Sequence, residues 1–185
     1  MSNSASQLFR RRLVVGTVAA VSVVIFLTDN VLSLQMISGR SMQPALNPDS
    51  NRLWRDVVLV NRMVKGGMTS CLSRGDIVTF TSPFDPNRCI VKRIVALPHD
   101  CIVPLGKPDS FVRIPAGHFW VEGDESFHSN DSNSFGPIPL ALVGGRVIRP
   151  IWPPSRFGAR IPPLPEWKRP RIFANGSTRL SDLDP

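Results

Sequence analysis

The sequence predicts a mainly β fold, an antiparallel barrel or sandwich, behind one N-terminal transmembrane helix. Two observations lead to this prediction: one long apolar segment follows a basic N-terminus, and the chain beyond it consists of short runs rich in valine, isoleucine and phenylalanine. Glycine, aspartate, asparagine and proline bound these runs and favour turns between them. The runs are DVVLVNRM, GDIVTFTSP, CIVKRIVALP, FVRIPAGHFWVEGD and LVGGRVIRPIW. Because no long helical period follows the apolar segment, the pattern favours antiparallel sheets.

The apolar segment is uninterrupted from Leu13 to Leu27. A membrane-spanning helix needs about 20 residues, and extension of the segment to Ile37 provides them. We therefore expect residues 13–37 to form an anchor, with the basic residues 1–12 left on the side of synthesis or on the matrix side of an organelle. A cleaved signal peptide and a buried helix are the alternatives, although no A-x-A cleavage site follows the apolar core. Serine and arginine without acids at the start also suit a mitochondrial address.

Composition bounds the function classes. The chain has 185 residues, enough for one ordinary domain with extensions, and a formal net charge of +8. Its basic residues are accompanied by no helix-turn-helix, zinc-finger or RNP-like pattern, so a nucleic-acid partner is not expected. The three cysteines include no C-x-x-C pair, which disfavours a metal or redox site and leaves one disulfide open.

The domain boundaries follow shifts in composition. Residues 38–152 contain the β-rich runs and form the predicted folded domain. Residues 153–185 are rich in proline and basic residues, so we expect a mostly irregular tail.

A serine lies where the apolar segment ends. Ser41 occurs in SGRSMQP, a stretch that is consistent either with a simple turn or with a nucleophile held near a membrane. A serine hydroxyl becomes an effective nucleophile only when a base takes its proton. One candidate base is His128, because Asp131 three residues later would complete a Ser–His–Asp set. A surface loop histidine is the simpler interpretation.

A lysine is the second candidate base. Strand alternation in CIVKRIVALP places Ile90, Lys92, Ile94 and Ala96 on one face and Arg93 on the other. Burial among isoleucines lowers the pKa of a lysine because it disfavours the charged form. A base near neutrality needs its pKa to fall from about 10.4 to about 7, which corresponds to about 4–5 kcal/mol. The alternative is that Lys92 reaches solvent along an edge strand.

Four segments together resemble the conserved boxes of the type I signal peptidases. They are SGRSMQPAL, RGDIVTFTSP, IVKRIVALPHD and VEGDESFHSNDSNSFGPIP, in the order of that family. The HSNDSNSFGP form and the WPP that begins at Trp152 are similar to the mitochondrial inner-membrane members. The resemblance covers about residues 15–155 and implies a membrane-anchored Ser–Lys endopeptidase of β fold that needs no metal or cofactor.

The resemblance also implies roles for individual residues. Ser41 matches the nucleophile and Lys92 the general base. Met42 belongs to the S-M-x-P motif. Gly39 takes the position where some members place an oxyanion-hole hydroxyl, so that donor is absent there, and either another donor serves or the oxyanion hole is mainly backbone. Losing one such donor typically costs about 3–4 kcal/mol in a transition state.

The last box supplies further supporting residues. Asp124 matches the acid of the family's G-D pair, Ser129 a serine that orients the lysine amine, and Asp131 a structural acid. Asn133 replaces the arginine that usually pairs with this acid, so we do not expect that salt bridge. Glu125 replaces the usual asparagine of the box.

One more departure concerns a turn. His99 replaces a common glycine of the family, so the left-handed turn geometry would be lost or strained.

The function that the resemblance implies is removal of sorting presequences after a small residue. The implied location is the mitochondrial inner membrane, with a single membrane pass and the catalytic domain facing the intermembrane space. Precursor proteins and a second protease subunit are the implied partners, with no nucleic acid. Two alternatives remain: a catalytically silent β scaffold that supports a partner protease, and a repressor-type Ser–Lys autoprotease, which would need an N-terminal DNA-binding domain.

Overall fold

A computed structural model describes residues 2–48, 54–64, 71–126, 129–175 and 178–179. The N-terminal helix α1 spans Ser2–Asn30. Its stretch Arg10–Thr28 has 19 residues, a mean hydropathy of 1.8 and no residue buried by the rest of the fold. At 1.5 Å per residue this stretch is about 28 Å long, close to the thickness of a bilayer core. It is therefore long and apolar enough to cross a membrane.

The helix is shorter at its C-terminal end than the anchor predicted for residues 13–37. It ends at Asn30, and Leu32–Met36 form strand β1 instead. The sequence explains the change because the apolar period switches from helical to alternating. Leu32, Leu34 and Met36 are exposed, whereas the polar residues between them are half-buried.

The described residues contain eleven strands, all paired antiparallel. A seven-stranded sheet has the order β1-β2-β9-β3-β4-β7-β8, and a four-stranded sheet has the order β11-β10-β5-β6. The remaining strands are β2 Val57–Asn61, β3 Ile77–Thr81, β4 Cys89–Ala96, β5 Cys101–Ile102, β6 Val112–Arg113, β7 His118–Glu122, β8 Ile138–Pro139, β9 Val143–Trp152, β10 Ile172–Ala174 and β11 Thr178–Arg179. The predicted mainly β, antiparallel fold behind one N-terminal apolar helix is confirmed.

Short helical segments connect the strands. Helix α2 is a single turn, Ser132–Phe135. Segments of 3₁₀ helix cover Leu140–Leu142, Pro154–Arg156 and Glu166–Arg171.

Strand β4 lies inside the larger sheet and carries Lys92. It pairs with β3 through Val78, which is opposite Lys92, and with β7 on its other side. The sequence predicts that Lys92 and Ala96 lie on the same face of β4. Ala96 departs from that face, because a register shift interrupts the β4–β7 ladder between Ile94 and Ala96. Ala96 consequently packs with the neighbouring core cluster that contains Ile102 and Trp120.

The described part of the segment that begins at residue 153 has a mostly irregular and 3₁₀ backbone, and it packs against the sheets, which its composition does not predict. Leu164 and Ile172 are buried in the core cluster beneath β4 and β7. Strand β10 pairs with β5 and so belongs to the smaller sheet. The apolar residues that supply this packing are spaced irregularly among the prolines. The sequence therefore shows no helical or strand periodicity that would predict the packing.

Candidate active site

Ser41 lies in a turn that follows β1. Gly39 has a φ of +99°, a conformation that glycine adopts without a steric penalty. Asn47 braces the turn because its side-chain amide donates to the carbonyls of Ile37 at 2.9 Å and Gly39 at 3.2 Å. The Asn47 backbone N–H donates to the Asp56 carboxylate at 2.9 Å. The turn is therefore held from behind by buried polar contacts.

Lys92 is 3% exposed at the centre of β4. Its Nζ donates to Ser129 Oγ at 3.0 Å. Burial is the main cause that lowers the pKa of Lys92, from 10.5 to about 8, and the charges of Lys168 and Arg88 act in the same direction. The nearby carboxylates oppose the shift. A substantial fraction of this amine is therefore neutral near pH 8.

Ser129 belongs to a short hydrogen-bonded network that ends at Asp131. Its Oγ donates to Asp131 Oδ2 at 2.6 Å while accepting from Lys92. Asp131 also caps α2 by accepting from the Asn133 backbone N–H at 3.1 Å, and the Asn133 side-chain amide donates to it at 2.9 Å. The hydrogen bonds to this carboxylate that the structure shows thus come from neutral donors. One of these donors is Asn133, which replaces the arginine that is usual in the family.

The backbone of residues 123–125 joins the turn of Ser41 to this network. The Gly123 N–H lies 3.2 Å from Ser129 Oγ and 3.0 Å from Asp131 Oδ2. The Glu125 N–H donates to the Ser41 carbonyl at 3.1 Å. A Cβ at position 123 would lie 2.5 Å from the Ser41 carbonyl oxygen and 2.4 Å from Ser129 Oγ. Only glycine fits there without displacing one of these groups.

Asp124 points away from this network and pairs with Arg93. The guanidinium donates to both carboxylate oxygens, at 2.8 Å and 2.6 Å, in a fully buried ion pair. Arg93 also donates to the carbonyls of Gly75 and Pro162. Asp124 therefore fixes its loop to the face of β4 opposite Lys92, because strand alternation places Arg93 on that face.

One cavity brings the predicted dyad together. It has a volume of about 720 Å³, and both Ser41 and Lys92 line it. Gly39 and Met42 line the same cavity, and Met42 is almost fully buried in the adjoining core cluster. A second cavity of about 860 Å³ lies between β9 and residues 158–164, and its lining includes neither Ser41 nor Lys92. The chemistry-bearing groups are at the smaller cavity.

A serine and a lysine that line one cavity, in a chain with an N-terminal apolar helix, fit a membrane-bound peptidase, and comparison with known proteins agrees. The profile of the family described as signal peptidase, peptidase S26, matches residues 10–107 and 104–152. The chain belongs to the signal peptidase family. It is a serine endopeptidase of the type I signal peptidase kind.

Relatives of this signal peptidase carry specific names. It is 43% identical over 157 residues to mitochondrial inner membrane protease subunit 2 of Danio rerio, covering 85% of this chain and 84% of the relative. It is 44% identical over 155 residues to the protein of that name from Saccharomyces cerevisiae, covering 80% and 85%. A signal peptidase I structure from Enterococcus faecalis aligns with 42% of this chain and 97% of its own, at 21% identity and a TM-score of 0.35. Relatives named as protease subunits do not favour the silent scaffold or the repressor-type autoprotease.

The histidines do not join the dyad in the part of the signal peptidase that the structure describes. His118 begins β7 and contacts the Ala116 carbonyl through Nδ1, at 3.1 Å. His99 keeps the left-handed turn, with a φ of +71°, and its N–H donates to the Ile114 carbonyl at 2.9 Å. The turn geometry is therefore retained with a non-glycine residue, at a backbone cost of order 1–3 kcal/mol. His128, the candidate for a Ser–His–Asp set, lies outside the described residues.

Two cations that the sequence analysis did not single out support the site. Arg156 donates to the Asp56 carboxylate and to the Ala45 carbonyl, at 2.8 Å for the latter, and so braces the turn of Ser41. Lys168 donates to the Gly123 carbonyl at 2.6 Å. Both lie in the proline-rich segment, where the absence of a regular period left only the cluster of basic residues as a signal.

The three cysteines of this signal peptidase are free thiols. Cys71 and Cys89 are exposed, and Cys101 is half-buried. The disulfide that the sequence left open is therefore not formed.

Proposed function

We propose that this signal peptidase removes sorting presequences from proteins delivered to the mitochondrial intermembrane space, with Ser41 as nucleophile and Lys92 as general base. The observation that carries the proposal is a buried lysine, with its pKa lowered to about 8, that lines the same cavity as a serine on a braced turn. The names of the relatives supply the mitochondrial context.

The chemistry follows from the positions of these groups. Neutral Lys92 takes the proton of Ser41, and the Ser41 oxygen attacks the peptide carbonyl that follows a small residue. Protonated Lys92 then gives this proton to the leaving amine, and a water molecule later releases the acyl group. Ser129 limits the rotation of the amine because it accepts one hydrogen bond and is itself held by Asp131.

Backbone donors stabilise the oxyanion in this proposal. Gly39 has no hydroxyl to offer, so the N–H of Ser41 is the donor that the chain supplies at this point. The positive φ of Gly39 gives the turn its shape, and the contacts of Asn47 hold that shape before substrate arrives. Preorganised donors of this kind stabilise a developing charge without reorganisation at the moment of reaction.

The chain is placed in the membrane by α1. We assign residues 1–12 to the matrix side, the apolar part of α1 to the bilayer, and residues 38–152 to a peptidase domain in the intermembrane space, with residues 153–185 following it. The positive-inside rule supports this orientation because Arg10, Arg11 and Arg12 precede the span. A second protease subunit is the proposed partner. Protease added after rupture of the outer membrane alone should digest the peptidase domain.

The decisive experiment replaces Ser41 with alanine and, separately, Lys92 with alanine or histidine, in cells that depend on this chain. Uncleaved intermembrane-space precursors should accumulate in each case, as measured by immunoblotting. Ser110→Ala and Lys107→Ala are matched controls because both residues lie in an exposed loop away from the cavity. Normal processing by the assembled Ser41 and Lys92 variants would contradict the proposal and favour a scaffold role.

A further inference from the structure

A lysine from the C-terminal segment reaches the back of the active site. Lys168 lies in the 3₁₀ segment Glu166–Arg171, and none of its side chain is exposed. Its Nζ donates to the Gly123 carbonyl at 2.6 Å and forms an ion pair with Glu122 at 3.1 Å. A buried ammonium is costly unless it is paired and hydrogen-bonded, and these two contacts meet that requirement.

Gly123 transmits this contact to the dyad. Its carbonyl faces Lys168, whereas its N–H faces Ser129 and Asp131. Position 123 excludes any side chain because a Cβ would collide with Ser129 and with the Ser41 carbonyl. Glycine is also the residue with the greatest backbone freedom. A hydrogen bond to its carbonyl from a buried charge restricts that freedom where the peptide touches both halves of the site.

The charge of Lys168 acts on Lys92 as well. Lys168 and Arg88 both lower the pKa of Lys92, while Asp131 and Asp124 raise it, and burial dominates. Lys168 itself faces Glu122, Asp124 and Arg171, and its own pKa is lowered, chiefly by burial. The charge of Lys168 lowers the pKa of Lys92, which is the direction of shift that a lysine needs to act as a general base.

We infer that Lys168 is a positioning residue for the Ser41–Lys92 dyad, acting through the Gly123 carbonyl and through its charge. The inference rests on the proposed function of that dyad. It also gives the proline-rich segment a role in the reaction, because the segment delivers this side chain to the loop behind Ser129.

The test uses the full-length protein in detergent and a presequence peptide, and it counts only the cleavage that Ser41→Ala abolishes. Lys168→Met removes both the charge and the donor, whereas Lys168→Arg keeps both. Arg171→Gln is the matched control, because Arg171 belongs to the same segment and binds the same glutamate, Glu122, at 2.8 Å.

Lys168→Met should lower kcat about ten- to a hundred-fold with KM unchanged, as small displacements of catalytic groups do. The acid limb of its kcat/KM profile should move to higher pH, because Lys92 then holds its proton more tightly. Lys168→Arg should keep the wild-type limb. Arg171→Gln should lower the melting temperature but leave kcat and the acid limb unchanged.

Other outcomes separate this inference from the proposed function. A folded Lys168→Met protein with wild-type kcat and acid limb overturns the positioning role, and so does an equal shift in Arg171→Gln. Should the methionine variant not fold, Lys168→Gln carries the same comparison, and failure of both to fold overturns the inference by assigning Lys168 to folding alone. Wild-type protein without cleavage that depends on Ser41 rejects the proposed function instead.

Discussion

The rate of presequence cleavage should depend on pH through the neutral fraction of Lys92. Because burial lowers the pKa of Lys92 to about 8, about one tenth of the amine is neutral at pH 7, half at pH 8 and about nine tenths at pH 9. The value of kcat/KM should therefore rise about fivefold between pH 7 and 8 and about twofold between pH 8 and 9. A lysine with its ordinary pKa would instead give a tenfold rise per unit throughout this range.

The assay measures initial rates on an internally quenched presequence peptide at constant ionic strength. The rate of the Ser41→Ala protein is subtracted at each pH, and a thermal melt at each pH shows that the protein stays folded. A plateau near pH 9 supports an amine titrated close to 8. A tenfold climb per unit that continues beyond pH 9, or a flat profile from pH 6 to 9, would refute the argument that burial prepares Lys92 as the base.

Further predictions concern packing, orientation and stability. Gly123→Ala should abolish cleavage, because its Cβ would lie 2.5 Å from the Ser41 carbonyl oxygen, whereas Gly144→Ala, whose nearest contact is at 3.4 Å, should retain it in the same peptide assay. Ser129→Ala should reduce kcat about ten- to a hundred-fold, the equivalent of one charge-assisted hydrogen bond, in steady-state kinetics. Lys92→Met should remove a rise in the free energy of unfolding between pH 8 and 10.5, a window in which the unfolded chain binds more protons than the native state; denaturant titrations of both proteins check this. Asp100→Asn should cost about 3 kcal/mol of stability in the same titrations, because Arg74 then loses the buried carboxylate that accepts two of its hydrogen bonds, while the pH profile of cleavage stays unchanged.

The strand that carries Lys92 could be predicted because its pattern is local. Alternation along β4 correctly separates Lys92 from Arg93, and burial on both faces follows from the position of β4 inside the larger sheet. Ala96 departs from the predicted face because the register shift depends on the pairing with β7, which is a long-range contact. The end of the helix at Asn30 was not predicted, because the apolar residues of Leu32–Met36 also suit the continuation of a membrane helix. Their alternation with polar residues and their pairing with β2 are what make them a strand.

The C-terminal segment could not be predicted, and the reason is physical. Its backbone is mostly 3₁₀ and irregular, so neither a helical nor a strand period marks Leu164 or Ile172 as core residues. From the sequence alone, its basic residues are most simply interpreted as solvated surface charges. Which of them becomes buried depends on where acidic groups and free carbonyls of distant loops lie, and only the folded chain brings those together.

The contacts of this segment indicate how the proposed Ser41–Lys92 dyad is held in place. Ser41 and Lys92 belong to different elements, one on a turn and the other on a strand, and their relative position depends on how those elements are held. Arg156 holds the turn through the Ala45 carbonyl, and Lys168 holds the loop behind Ser129 through the Gly123 carbonyl. Two cations of one segment therefore restrain the two halves of the site from behind. Because the segment contacts both halves, a substitution that weakens its contacts should reduce kcat before the sheets unfold. The kcat and the folding of the Lys168 variants test this expectation.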